Sequence, residues 1–175
     1  MTTGYFDKVL VDYCQSLELP LHITFINNPR YAETNYIYSI YCAREALRDD
    51  DLLLMHGDLV FEPSVLEEIM QQKQSCMKVS STLPLPQKDF KAVVADGFVK
   101  AVGIRFIRVA AKNAGLAFDS AYIDTLPLAQ ALYKLNRADW QVWLNNICAF
   151  CEAGQTNCYA EVALNQVTET CRIAA

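Results

Sequence analysis

The chain has 175 residues, 53% of them hydrophobic and 20% charged, and a formal net charge of -5. That is enough for one ordinary domain with a real core, so a single unit over 1–175 is expected, and the scattered Lys and Arg disfavour a nucleic-acid partner. No apolar run approaches the ~18 residues of a membrane span, and the N-terminus lacks a basic segment followed by an apolar one, which points to a cytoplasmic protein.

Tyr5, Phe6, Val9, Leu10, Tyr13 and Leu17 recur at helical spacing, and Pro20 closes that segment. Leu21 to Ile26 alternates as a short buried strand would, and Asn27-Asn28-Pro29 breaks it. Thr34 or Asn35 can cap a helix that carries Ile37, Ile40, Tyr41, Ala43 and Leu47 on its apolar side; Arg48-Asp49-Asp50-Asp51 then makes a turn. The pattern predicts a strand over Leu52 to His56, a helix entered through Glu62-Pro63-Ser64, and a strand over Met77 to Thr82.

After Leu83-Pro84-Leu85-Pro86 the rhythm changes. Two strand-like runs flank Asp96-Gly97, a hairpin signal. Helical periodicity is expected from Leu126 on, with Trp140, Trp143, Leu144, Ile147 and Phe150 on one face, Gly154 as terminator and a last helix near Tyr159. This alternation predicts an α/β fold, a mostly parallel helix-flanked sheet with an antiparallel hairpin excursion.

Seven cysteines without paired spacing read as reduced thiols, and Cys148-Ala149-Phe150-Cys151 sits in an apolar helical pattern that favours burial over metal chemistry. His22 and His56 are lone imidazoles that read as packed or surface residues; His56 draws notice because it adjoins Gly57-Asp58. The apolar run Leu52-Leu53-Leu54-Met55 delivers Asp58 at its C-terminal end, as open α/β sheets place a metal-holding carboxylate, and Gly57 permits close approach of a ligand. An aspartate capping the next turn has the same local signature.

Asn28-Pro29-Arg30-Tyr31-Ala32-Glu33-Thr34-Asn35-Tyr36-Ile37-Tyr38-Ser39 together with His56-Gly57-Asp58 resembles the nucleotidyltransferases that join a nucleoside triphosphate to a sugar phosphate or to phosphocholine. The closest branch is the choline-phosphate cytidylyltransferases. The resemblance implies a Rossmann-like, nucleotide-diphospho-sugar transferase-like fold, Mg²⁺ as cofactor, and a nucleoside triphosphate, CTP by preference, with a small phosphorylated acceptor as substrates. It implies that Asp58 is the catalytic metal ligand and that Thr34, Asn35 and Gly57 contact the nucleotide, for which hydroxyl and amide groups at a helix N-terminus are suited. Lys88-Asp89-Phe90-Lys91-Ala92-Val93 is similar to a lysine-bearing strand of that branch, which implies a catalytic Lys91 near substrate phosphate; a solvent-facing hairpin lysine is the alternative. Leu132-Tyr133-Lys134-Leu135, Asp139-Trp140-Gln141-Val142-Trp143 and Cys158-Tyr159-Ala160-Glu161 resemble the acceptor side of the phosphocholine-type enzymes. There Tyr159 and Glu161 would bind the acceptor, since an aromatic face and a carboxylate both attract a quaternary ammonium. Trp140 and Trp143, at i and i+3, read as core.

The chain departs from that family at both ends. Such enzymes open with a strand and a glycine-rich, arginine-bearing loop that cradles the triphosphate, whereas Met1-Thr2-Thr3-Gly4-Tyr5 resembles a point well inside the usual enzyme; the late second acidic metal ligand has no clear counterpart after Glu161. A domain truncated at the N-terminus and short at the C-terminus is therefore expected, a poor catalyst by itself, prone to self-association or to complementation by another chain. The competing expectation is a non-catalytic remnant that binds a nucleotide or a partner.

Overall fold

The computed structural model describes residues 1–82, 90–103 and 125–175. A short parallel pair, β1 (Thr2–Thr3) and β2 (Ile26–Asn27), is linked by α1 (Asp7–Ser16). A five-stranded sheet contains β3 (Leu52–Met55), β4 (Cys76–Ser80), β5 (Lys91–Ala95), β6 (Phe98–Gly103) and β7 (Leu128–Leu135). The other described helices are α2 (Tyr36–Leu47), α3 (Pro63–Gln71), α4 (Arg137–Glu152) and α5 (Ala160–Leu164).

Strand β7 organises the sheet. It runs antiparallel to β3, from Leu52↔Leu135 to Met55↔Leu132, and antiparallel to β4, from Cys76↔Lys134 to Ser80↔Leu128. The fold is α/β as expected, with parallel strands adjacent in β1–β2 and, in the larger sheet, β3 and β4 parallel to each other across β7. The sequence pattern misses β7 itself, reading helix from Leu126. Its residues, LAQALYKL, are mostly good helix formers, and burial of the adjacent Leu132 and Tyr133 erases the two-residue alternation that marks a half-exposed strand. Pairing with a strand on each side overrides that local preference.

The expected strand Leu21 to Ile26 shrinks to Ile26–Asn27, because β1 offers only Thr2 and Thr3 as partners. Leu21 is instead exposed. Helix α1 forms where expected but buries none of its residues; Tyr5, Phe6, Val9 and Tyr13 all face solvent at 61–72% exposure. A two-residue parallel pair is too small to cover its apolar face.

The hairpin forms as read, with β5 and β6 paired from Lys91↔Gly103 to Ala95↔Phe98. Asp96 (φ 54°) and Gly97 (φ 77°) both take the left-handed conformation that a two-residue turn of matching twist requires. The C-terminal segment closes the far side of the sheet: Met77 N donates to Ala174 O at 2.8 Å, and Val99 N donates to Ile173 O at 2.8 Å.

Helix α4 supplies the core against α2, with Trp140, Trp143, Leu144 and Ile147 wholly buried beside Ile37 and Ile40. Its start is held by Asp51 Oδ1, which accepts from Arg137 N at 2.8 Å, and its end by Gly154 (φ 80°). All seven cysteines are free, with Cys148 and Cys151 buried in α4. No helix among the described residues is long and apolar enough to cross a membrane.

Candidate functional site

Residues Ala129 and Ala131 lie two apart on β7, so their backbone groups point to the same edge. At Ala131 that edge serves the end of β3, whose following residue His56 donates its N–H to Ala131 O at 3.2 Å. At Ala129 it serves the entry to β5, where Ala129 N donates to Phe90 O at 2.9 Å. Between the two strands a pocket of about 190 Å³ opens. Ala129, Ala131 and Val102 give it apolar surface, while His56, Phe90, Tyr133 and Tyr159 surround it with rings.

Glu161 closes the pocket. Only 3% exposed, it sits in the first turn of α5, a five-residue helix that depends on α4 for its position. Trp143 Nε1 donates to Ala160 O at 2.9 Å and Asn146 Nδ2 donates to Ala163 O at 2.7 Å. The carboxylate accepts one hydroxyl per oxygen: Tyr133 OH donates to Oε1 at 2.9 Å, and Tyr36 OH donates to Oε2. A buried charge persists only with such partners. The rings interlock around it, Tyr36 edge-on to His56 at 4.7 Å and Phe90 edge-on to Tyr159 at 4.7 Å.

Burial, reinforced by the Glu161 charge, pushes the Tyr36 and Tyr133 hydroxyls well above the ordinary tyrosine value of 10.0, so both stay protonated donors. Burial likewise pushes the Cys151 and Cys171 thiols up to about 12 from an ordinary 9.0. In each case the unfolded chain releases its proton first, so these groups stabilise the fold fully below their ordinary values and progressively less as pH rises. We expect a stability plateau below pH 9, a decline as the thiols ionise in the unfolded state, and a steeper loss above pH 10 as the tyrosines join. Each group adds about 1.4 kcal/mol per pH unit to the slope. Urea unfolding at stepped pH measures it; a flat profile to pH 11 contradicts the burial of these groups.

The residues that the sequence points to fall in four places. Tyr159 and Glu161 meet in the pocket. Gly57 and Asp58 follow His56 on exposed surface; a Cβ at Gly57 would meet no atom within 4 Å, and Asp58 has no hydrogen-bond or ion-pair partner among the described residues. Asn35 is the N-cap of α2: its Oδ1 accepts from Tyr36 N at 2.8 Å and its own N–H donates to Thr156 O at 2.9 Å. Thr34 Oγ1 donates to Arg30 O at 2.8 Å and accepts from Asn28 Nδ2 at 3.1 Å. The side chains of this loop thus hold the loop itself, with buried Asn28 at its centre.

Lys91 is 2% exposed at the start of β5, paired with Leu128 and Gly103, and does not line the pocket. The solvent-facing alternative for this lysine is excluded by that burial; Lys88 and Asp89 lie outside the described residues. Tyr36, Phe90 and Tyr133 complete the pocket and its hydrogen bonds although the sequence does not mark them as site residues. Tyr36 and Glu161 are separated by 125 positions, a distance over which local pattern carries no signal.

No protein-family model matches the chain. Over 65 residues, 37% of this chain and 10% of that protein, it is 38% identical to a CMP-5'-(3-aminopropyl)phosphonate synthase of Streptomyces rubellomurinus. Among solved structures it is similar to the inositol-1-phosphate CTP transferase from T. maritima (TM-score 0.68, 13% identity, 99% of this chain and 63% of that one). It is also similar to the CTP:phosphocholine cytidylyltransferase from Streptococcus pneumoniae (TM-score 0.65, 14% identity, 99% of this chain and 65% of that one). An apo UDP-glucose pyrophosphorylase aligns with a TM-score of 0.53 at 10% identity, over 98% of this chain and 70% of that one. The fold is therefore nucleotidyltransferase-like, and the chain spans 63–65% of the first two structures.

Proposed function

We propose that this chain is a nucleotidyltransferase domain that joins a nucleoside triphosphate, CTP by preference, to a small phosphorylated acceptor with a cationic head, of the phosphocholine type, releasing pyrophosphate. The observation that carries the reading is Glu161, a buried carboxylate at the end of a ring-lined pocket on a nucleotidyltransferase-like fold. At about 190 Å³ the pocket is below the ~300 Å³ lower bound of ordinary ligand clefts, which suits a head group and leaves no room for a nucleotide. Negative charge and ring faces together attract a compact cation.

In this reading the acceptor's phosphate projects from the pocket mouth at half-exposed Tyr159, and one of its oxygens attacks the α-phosphorus in line with the departing pyrophosphate. The protein's contribution is position: the buried head fixes the acceptor. Asp58 fits Mg²⁺ in one specific way. Among the described residues no three His, Cys, Asp or Glu side chains gather to hold a metal, so a protein cage is lacking. One exposed carboxylate, completed by substrate phosphates, is nevertheless an ordinary Mg²⁺ donor set. Bound there, the ion would neutralise charge between the reacting phosphates.

Phosphocholine should therefore protect the protein against heat better than glucose 1-phosphate at matched concentration. At about a hundred times its dissociation constant a native-state ligand adds roughly 2.7 kcal/mol. Equal or reversed protection in a melting experiment would reject the cationic head and leave a sugar-phosphate acceptor.

A further inference from the structure

Two tyrosines share Glu161, and their geometry bears on which cation the pocket accepts. An ionised carboxylate has about four acceptor positions, two per oxygen. Here Tyr133 OH occupies one on Oε1 and Tyr36 OH occupies one on Oε2, while the residue is 97% shielded by its 3% exposure. Each tyrosine comes from a different element, Tyr36 from the first turn of α2 and Tyr133 from β7, so the carboxylate is tied to two elements besides its own helix. Around it the pocket offers Phe90, Val102, Ala129 and Ala131, whose side chains accept no hydrogen bond, together with the rings of His56 and Tyr159.

A primary ammonium brings three N–H donors and must replace the water it leaves behind. A trimethylammonium brings none. It gains from the charge of Glu161 and from the faces of Tyr159 and Phe90 without asking for an acceptor. We infer that Tyr36 and Tyr133 are positioning residues that set head-group selectivity: by taking half of the acceptor positions of Glu161 they leave a cation to be read mainly through charge and ring faces, favouring N-methylated heads over a primary amine. This rests on the pocket being the acceptor's seat. It also separates this chain from the aminopropyl substrate named for the Streptomyces synthase, whose amine is unmethylated.

The test is direct calorimetric binding to the full chain of phosphoethanolamine, its mono- and dimethyl forms, phosphocholine and 3-aminopropylphosphonate. Affinity should rise with each methyl, phosphocholine exceeding phosphoethanolamine by about tenfold or more, the worth of a lost hydrogen bond to a charged group. In Tyr133→Phe and in Tyr36→Phe an acceptor position is released, and that ratio should fall at least about threefold, mostly through tighter phosphoethanolamine binding. A simple structural role would weaken all heads alike and leave the ratio intact. Near-UV circular dichroism confirms folding; if one variant does not fold, the other decides, and Glu161→Gln should weaken every head by removing the charge. A wild-type preference for the primary amine, or a ratio unchanged in the folded variants, overturns the inference while leaving the acceptor pocket standing. Binding of none of the five ligands overturns both.

Discussion

Trp143→Ala is expected to lower stability by about 3 to 5 kcal/mol, the cost of emptying a fully packed aromatic site. The indole is 0% exposed, lies edge-on to Tyr133 at 5.3 Å and to Trp140 at 5.8 Å, and stands behind the ring wall of the pocket. Its Nε1 donates to Ala160 O at 2.9 Å, so the truncation also removes a hydrogen bond from a buried carbonyl one residue before Glu161. Trp143→Phe keeps most of the volume and loses the donor; it should cost roughly 1 to 3 kcal/mol. Urea unfolding of both proteins separates packing from hydrogen bonding. A loss below 1 kcal/mol for the alanine variant would mean that the α4–α5 contact does not hold the pocket.

Asp58→Asn carries the second large effect. In the proposed function this carboxylate and the substrate phosphates complete the Mg²⁺ donor set, so nucleoside triphosphate binding in Mg²⁺ should weaken about a hundredfold, near 2.7 kcal/mol. Asparagine keeps the size and removes the charge. Because Asp58 is exposed and partnerless among the described residues, the substitution should leave the melting temperature of the unliganded protein within a degree or so. Calorimetry with and without Mg²⁺ reads the outcome: wild-type affinity that does not depend on the metal would remove Asp58 from this role, and an equal loss of folding stability would make it structural.

Local sequence carried much of the architecture because the signals were local. Pro63 opens α3 and Gly154 ends α4 by backbone rules that act within one turn. Asp96-Gly97 makes its hairpin because two residues suffice to reverse the chain. The apolar face of Trp140, Trp143, Leu144 and Ile147 follows from 3.6-residue periodicity and is buried as that periodicity requires. The His56-Gly57-Asp58 end of an apolar strand was equally visible, since a strand run and its terminal residue are contiguous in sequence.

Other features depend on contacts that no window contains. LAQALYKL is composed as a helix and becomes the strand at the centre of the sheet because β3 and β4 satisfy its backbone on both edges. Lys91 is buried although it opens a hairpin strand, because β5 is also paired to β7 at Leu128. The parallel pair stays two residues long because its partner strand ends there. Composition, periodicity and turn chemistry thus determined an α/β chain with its helices, its hairpin and an aspartate delivered by an apolar strand. Tertiary structure alone decided that Tyr36, Tyr133 and Glu161 converge between two strands on one edge of β7, because a buried carboxylate is satisfied by whichever donors the fold brings within hydrogen-bonding reach, at any separation along the chain.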